Sequence, residues 1–219
     1  GVLGDSLSSV LERAGYRVSR EFYVNDAGNQ VDLYGKSVEA RYIQQLKGED
    51  SFPFPENGYH GDDIKERATE LIAEHGDEYL NMDAEKRQKL MREYGIKKNI
   101  ELMRADLARY KVEYDTWFYE SSLHENGEVK ETVDILKKNG MLYEKDGALW
   151  FKGTLFGMEK DEVIVKSNGF YTYYAVDIAY HRNKFLKRGF DKVVDVFGAD
   201  HHGHVIRFKA GMQALGIDP

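Results

Sequence analysis

The spacing of apolar positions changes several times along the chain, and each change marks an element. Val2, Leu3, Leu7, Val10 and Leu11 recur at helical intervals, and Gly15 follows where such a helix would stop. From Tyr16 to Val24 the chain reads as a strand, with Val18, Phe22 and Val24 on one face. Helical spacing returns at Val31, Tyr34, Val38 and Tyr42, with Asp26 as the predicted cap. After Gly48, GEDSFPFPENGYHGDD holds two of the three prolines and reads as a loop. Ile64, Ala68, Leu71 and Ile72 form one further stripe. Ile96, Ile100, Met103, Leu107 and Tyr110 form another, so residues 62 to about 114 are predicted as helices packed on each other.

The second half mixes periods. Asp115 to Phe118 returns to strand-like composition. Glu128 to Lys138 is a predicted helix with Val129, Val133 and Leu136 inside and Asn139-Gly140 at its end. Met141 to Lys152 reads as a hairpin around Asp146-Gly147, and Val163 to Lys166 as a strand turned by Ser167-Asn168-Gly169. Phe170 to Lys184 is a predicted helix capped by Thr172. Tyr173 and Asp177, four apart, share one face, and Ile178 and Phe185 lie mainly on another. Val193, Val194, Val196 and Phe197 then make an apolar run, predicted as a strand ending at Gly198. A polar turn with Asp200, His201, His202 and His204 leads into Val205, Phe208, Met212 and Leu215 at helical spacing, with Gly216 as the stop.

Strand, polar turn and helix thus occur twice, around 23–30 and 193–211. In an open α/β sheet, ligands bind beyond the carboxyl ends of the strands. Asn25, Asp26 and Gln30 are therefore expected in the same crevice as Asp200, His201, His202 and His204. Each turn also reads simply as a helix cap among solvated side chains. Tyr173 and Asp177 form a possible cation-recognition pair, because a carboxylate takes two parallel hydrogen bonds from a guanidinium and an aromatic face stacks on it. The plainer reading is a surface Asp beside a half-buried Tyr.

Composition narrows the choices. At 219 residues and 42% hydrophobic, the chain is one large domain or two small ones with a core. The absence of cysteine excludes disulfides and thiolate metal sites. A net charge of -7 argues against nonspecific nucleic-acid binding by the whole surface, and the lysines and arginines between 86 and 111 read mainly as solvated faces. There is no apolar run long enough to span a membrane and no secretory signal pattern, so a cytoplasmic location without a membrane partner is expected. Two other readings stay open. The Asp200-His201-His202 cluster with His204 would suit a metal-dependent phosphoesterase if further carboxylates converged on it. The chain would also suit a non-catalytic nucleotide- or RNA-binding module.

Three segments, GDSLSSVLERAGYRVSREFYVNDAGNQ, VKSNGFYTYYAVDIAYH and FGADHHGH, occur in this order and together resemble the catalytic core of arginyl-tRNA synthetase, a class I aminoacyl-tRNA synthetase, of bacterial type. The resemblance is collinear over nearly the whole chain. It implies an α/β fold with a Rossmann-like, doubly wound parallel sheet interrupted by insertions. Residues 1–47 would be the first part of the nucleotide-binding domain, without its first strand. Residues 48–120 would be a mainly helical insertion, 121–162 a small α/β insertion with a hairpin, and 163–219 the second part of the domain.

The resemblance also implies a two-step reaction. ATP, accompanied by Mg2+, and arginine give arginyl-adenylate and pyrophosphate, and the terminal ribose of tRNA(Arg) then takes the arginyl group. Tyr173, Asp177 and His201 would line the arginine pocket, His201 falling where some relatives carry Gln. Gly198, Asp200 and His204 would lie on the ATP side, and Asn25, Asp26 and Gln30 would border the cavity. No metal ligand or catalytic residue is expected within the chain, because the HIGH signature would lie before Gly1 and the KMSKS-type loop after Pro219. The chain is accordingly expected to be a piece of a monomeric enzyme and to be inert alone.

Overall fold

The computed structural model describes residues 1–198, 201 and 203–218. They fall into two compact units, Gly1–Phe118 and Tyr119–Pro219. In the first unit, α1 (Val2–Arg13) ends where the sequence predicts. Gly15 adopts φ 92, and the amides of Gly15 and Tyr16 close onto the Glu12 and Leu11 carbonyls at 3.0 and 3.1 Å. This Schellman closure satisfies carbonyls that the helix end would leave bare. The apolar stripe of α1 is not covered, and none of its residues is buried. Arg20 ties α1 to the chain that follows, bonding Asp5 and Glu12.

The predicted strand 16–24 is shorter than its apolar alternation. Only β1 (Glu21–Val24) is a strand; residues 16–20 are irregular, and only the Arg20 carbonyl bonds across, accepting the amides of Asp115 and Thr116 at 2.9 and 3.1 Å. A strand needs a hydrogen-bonding neighbour, and β1 finds one in β2 (Thr116–Tyr119). Phe22 stacks on Trp117 at 4.7 Å to seal the pair. Asp26 does not cap the next helix. Gly28, at φ 92, is the N-cap of α2 (Asn29–Lys47) and, as a glycine, brings no side-chain cap bond.

α2 packs on α3 (Asp62–His75) and α4 (Ala84–Arg109). Val38, Tyr42, Ile64, Ala68, Leu71 and Met91 form their shared core. Within it Glu39 receives the Arg87 Nε at 2.7 Å, and Arg87 also donates to the Met82 carbonyl at 2.9 Å. Asp83 caps α4, accepting from the amides of Glu85 and Lys86. The stripe expected along α4 is buried only in part. Ile100 is enclosed, whereas Met103 and Tyr110 are exposed, because the last turns run past the helices that cover its first half.

The second unit is built around one central helix. α5 (Ser121–Glu125) and α6 (Glu128–Lys138) precede an antiparallel sheet of β3 (Leu142–Lys145), β4 (Ala148–Phe151) and β5 (Glu162–Val165). The β3–β4 turn has Asp146 and Gly147 at φ 52 and 73, the two left-handed residues that a tight hairpin requires. β5 feeds α7 (Tyr173–Arg182), which continues as one wide turn, Asn183–Lys187. Thr172 stands at the N-cap of α7 without a side-chain cap bond. Its hydroxyl instead donates to the Val163 carbonyl at 2.8 Å, fastening the helix start to β5.

Ile178 and Ala179 are fully enclosed and Tyr174 nearly so. Such burial contributes about 1.5–3 kcal/mol for each large side chain. α8 (His204–Ala214) lies close against α7, since a Cβ on Gly211 would stand 2.7 Å from Ile178 Cγ1. The run 193–197 is not a strand. It is irregular, with no ladder partner among the described residues, and Val194, Val196 and Phe197 are exposed. No described helix is long and apolar enough to cross a membrane.

Candidate functional site

A group of charges in the second unit runs along α7 and the wide turn that follows it. Tyr173 opens the helix and is 63% exposed. Asp177 lies one turn on, on the same side, and is half-buried. Among the described residues no hydrogen bond or ion pair reaches the Asp177 carboxylate. Burial raises its pKa to about 6; the charges of His181 and Arg207 oppose this rise, and those of Glu120 and Asp195 add to it. The spacing of Tyr173 and Asp177 therefore does what the sequence suggests, although one side chain is open and the other partly enclosed.

The basic groups nearby are already paired with carboxylates. Arg207, on α8, pairs with Glu162 at 2.7 Å, and its guanidinium lies 4.8 Å over the Tyr174 ring. Lys184 Nζ pairs with Asp195 at 2.7 Å, and His181 Nε2 meets the other oxygen of the same carboxylate at 2.9 Å. Burial works against the Asp195 charge, but the bonds from His181 and Lys184 outweigh it and hold the carboxyl well below the usual range. His181 Nδ1 faces the main-chain carbonyl of Asp177 at 2.8 Å. Both ring nitrogens thus face acceptors, and both contacts are hydrogen bonds only when both nitrogens carry protons. Further along, Arg182 makes a two-point contact with Glu131 on α6 at 2.9 and 2.7 Å. Asn183 donates to the enclosed Glu128 at 2.9 Å.

Aromatic rings join this group to the segment before α8. His181 lies 4.6 Å from Phe208, Phe208 lies 5.5 Å from Phe197, and Phe197 stacks on His201 at 5.7 Å. His204, in the first turn of α8, is 5.2 Å from His201. The structure therefore brings His201 and His204 together, in one cluster with the histidine that holds the Asp177 carbonyl. Gly198 is exposed, and its carbonyl accepts the His201 amide at 3.0 Å. Asp200 and His202 lie outside the described residues. Asn25, Asp26 and Gln30 belong to the first unit. Asn25 is exposed, Asp26 is half-buried with its amide on the Val24 carbonyl, and Gln30 is exposed in the first turn of α2.

Among the described residues no group of three or more His, Asp or Glu is arranged to hold a metal ion. His181, Lys184, Asp195 and Arg207 are the members of the site that pattern reading misses. His181, four residues beyond Asp177, was open to the same helical reasoning. The other contacts join separate segments.

Comparison with known proteins matches residues 1–219 to the family described as tRNA synthetases class I (R), catalytic domain. An arginine–tRNA ligase of Acetivibrio thermocellus is 59% identical over 219 residues, covering 100% of this chain and 39% of that protein. One from Caldanaerobacter subterraneus subsp. tengcongensis is also 59% identical, with the same coverage. The crystal structure of a Campylobacter jejuni protein described as an arginyl-tRNA synthetase superposes with a TM-score of 0.88 at 34% identity. It covers 99% of this chain and 47% of its own. The chain thus spans about two fifths of the length of the curated relatives it matches. The likeness in fold places it in the α/β class expected from the sequence.

Proposed function

We propose, from the premise that this chain belongs to the catalytic-domain family of class I tRNA synthetases of the arginine type, that it is the amino-acid-recognising part of an arginine–tRNA ligase. The reaction activates arginine with ATP, taken as its Mg2+ complex, to arginyl-adenylate and pyrophosphate. It then passes the arginyl group to the terminal ribose of tRNA(Arg). The observation that carries this reading is Asp177, a half-buried carboxylate unpaired among the described residues and one turn behind an exposed phenol. A carboxylate desolvated without a partner is costly unless a cation arrives to pair with it. A guanidinium supplies that charge in a planar, two-point form.

In this reading Asp177 pairs with the arginine side chain, the Tyr173 ring flanks it, and His201 borders the same pocket. Gly198, Asp200 and His204 receive the adenosine of ATP, with the Asp200 carboxylate accepting from ribose hydroxyls. Asn25, Asp26 and Gln30 border the cavity. Residues 1–47 and 163–219 form the nucleotide-binding domain, with 48–120 and 121–162 as its insertions. The enzyme acts as a cytoplasmic monomer. Aminoacylation of tRNA(Arg) by the full-length protein tests the reading. Arginine-dependent charging supports it, and charging with another amino acid in preference to arginine contradicts it.

A further inference from the structure

Asp177 lies among cations, yet none of those described is paired with it. Arg207 is held by Glu162 at 2.7 Å. Lys184 and His181, both buried, are held by Asp195 at 2.7 and 2.9 Å. Asp195 comes from the irregular segment before α8, whose apolar neighbours Val194 and Val196 are exposed, so the core does not require it there. Its carboxylate nevertheless sits between Lys184, in the wide turn after α7, and His181 of α7, and no other carboxylate of the described residues pairs with either. Without it, the Lys184 ammonium would be left buried without a carboxylate, and the His181 ring that meets the Asp177 carbonyl would lose its partner.

We propose that Asp195 is a positioning residue for the arginine pocket: by engaging Lys184 and His181 it keeps the Asp177 carboxylate available to the incoming guanidinium. The inference rests on the reading that Asp177 receives the arginine side chain. Two effects act together. The His181 ring, fixed by Asp195 through Nε2, anchors the Asp177 carbonyl through Nδ1 and so sets the turn that presents the carboxylate. The same carboxylate neutralises Lys184, which lies 4.0 Å over the Tyr180 ring, so that no uncompensated buried ammonium is left three residues beyond the anchoring His181. Charge pairing of this kind discriminates by leaving one partner unpaired until the right ligand arrives.

The test is steady-state charging by the full-length protein with tRNA(Arg) present, at a temperature where every variant is folded. Asp195→Asn is expected to raise the arginine KM about tenfold, with the ATP KM changed by less than about threefold, because the lost charge acts on one pocket. Adding Lys184→Met to Asp195→Asn removes the orphaned cation and is expected to return the arginine KM to within about threefold of wild type. A role confined to stability would move the denaturation midpoints of these variants and leave the arginine KM of the folded proteins unchanged, so both are measured. If Asp195→Asn fails to fold, the charge-balanced double variant still decides, since a tenfold or greater rise in its arginine KM overturns the proposal. Asp177→Asn, measured in parallel, separates the two claims. Loss of arginine use in Asp177→Asn with an unchanged arginine KM in Asp195→Asn overturns the positioning role alone. Unchanged arginine kinetics in Asp177→Asn overturns the pocket reading on which it rests.

Discussion

At the scale of single residues, Asp177 sets the behaviour of the site. Its folded-state pKa is raised to about 6 from an ordinary 3.8, chiefly by burial. The sign follows from linkage. Between those values the folded protein binds more protons than the unfolded chain, so stability falls as pH rises through that window. Above about pH 6 the ionised, unpaired carboxylate is a standing cost. Asp177→Asn should therefore stabilise the arginine-free protein at neutral pH by on the order of 1–3 kcal/mol, with the gain fading towards pH 4. Denaturation midpoints of the two proteins across that range measure it, and a variant less stable at pH 7 contradicts the account.

Arginine needs the ionised form, so its affinity should drop by about tenfold between about pH 7 and pH 5. The charged groups facing Asp177 are His181, Arg207, Glu120 and Asp195. Calorimetric titration with arginine over that range gives the slope, and a flat profile in wild type counts against an ionisable anchor. The Tyr173–Asp177 pair was legible in the sequence because a four-residue interval fixes a shared helical face. The Asp195 bridge was not. It spans 11 and 14 residues, and the alternation that suggested a strand over 193–197 carries no information about a neighbour on α7.

Among elements, the helices were legible and the strands much less so. A helix satisfies its backbone within itself, so the stripes of α2, α3 and α6 predict both the elements and their buried faces. A strand depends on its neighbour; the stretch at 16–20 meets one only at Arg20, whose carbonyl accepts from Asp115 and Thr116, and 193–197 has no ladder partner among the described residues. Asp26 failed as a cap because Gly28, in the left-handed region, starts α2 two residues later.

The packing of α8 on α7 rests on Gly211. Replacing it with Val forces atoms into Ile178, beside Asp177, and should cost about 1–3 kcal/mol through overpacking. Urea titration of the full-length protein reads the loss, and unchanged stability would mean that α8 is not seated as described. The α6–α7 contact is acid-sensitive. The hydrogen bond from Arg182 brings the Glu131 pKa down to about 2 from 4.5. Because the folded value is depressed, its stabilisation is present above pH 4.5 and is lost as pH falls towards 2. Glu131→Gln should flatten the acid limb of the stability profile in that window, and an unaltered limb would show that the pair contributes nothing.

For the whole molecule, three motifs in fixed order carried more information than any element or charge pattern. The family and the fold were legible at that level because order and separation are far more specific than a single Asp-Gly turn. The chain's own sheets, a two-stranded pair and a three-stranded meander among the described residues, would not have identified the fold by themselves. The claim that joins sequence, structure and chemistry is that Asp177 pairs with the arginine guanidinium. Breaking such a buried pair costs about 3–5 kcal/mol, so Asp177→Asn in the full-length protein, with tRNA(Arg) present, should lower kcat/KM for arginine at least about a hundredfold. The KM for ATP should stay close to wild type, and Tyr173→Phe, which keeps its ring, should cost less. Near-wild-type arginine kinetics in Asp177→Asn would contradict the account and return that residue to the surface.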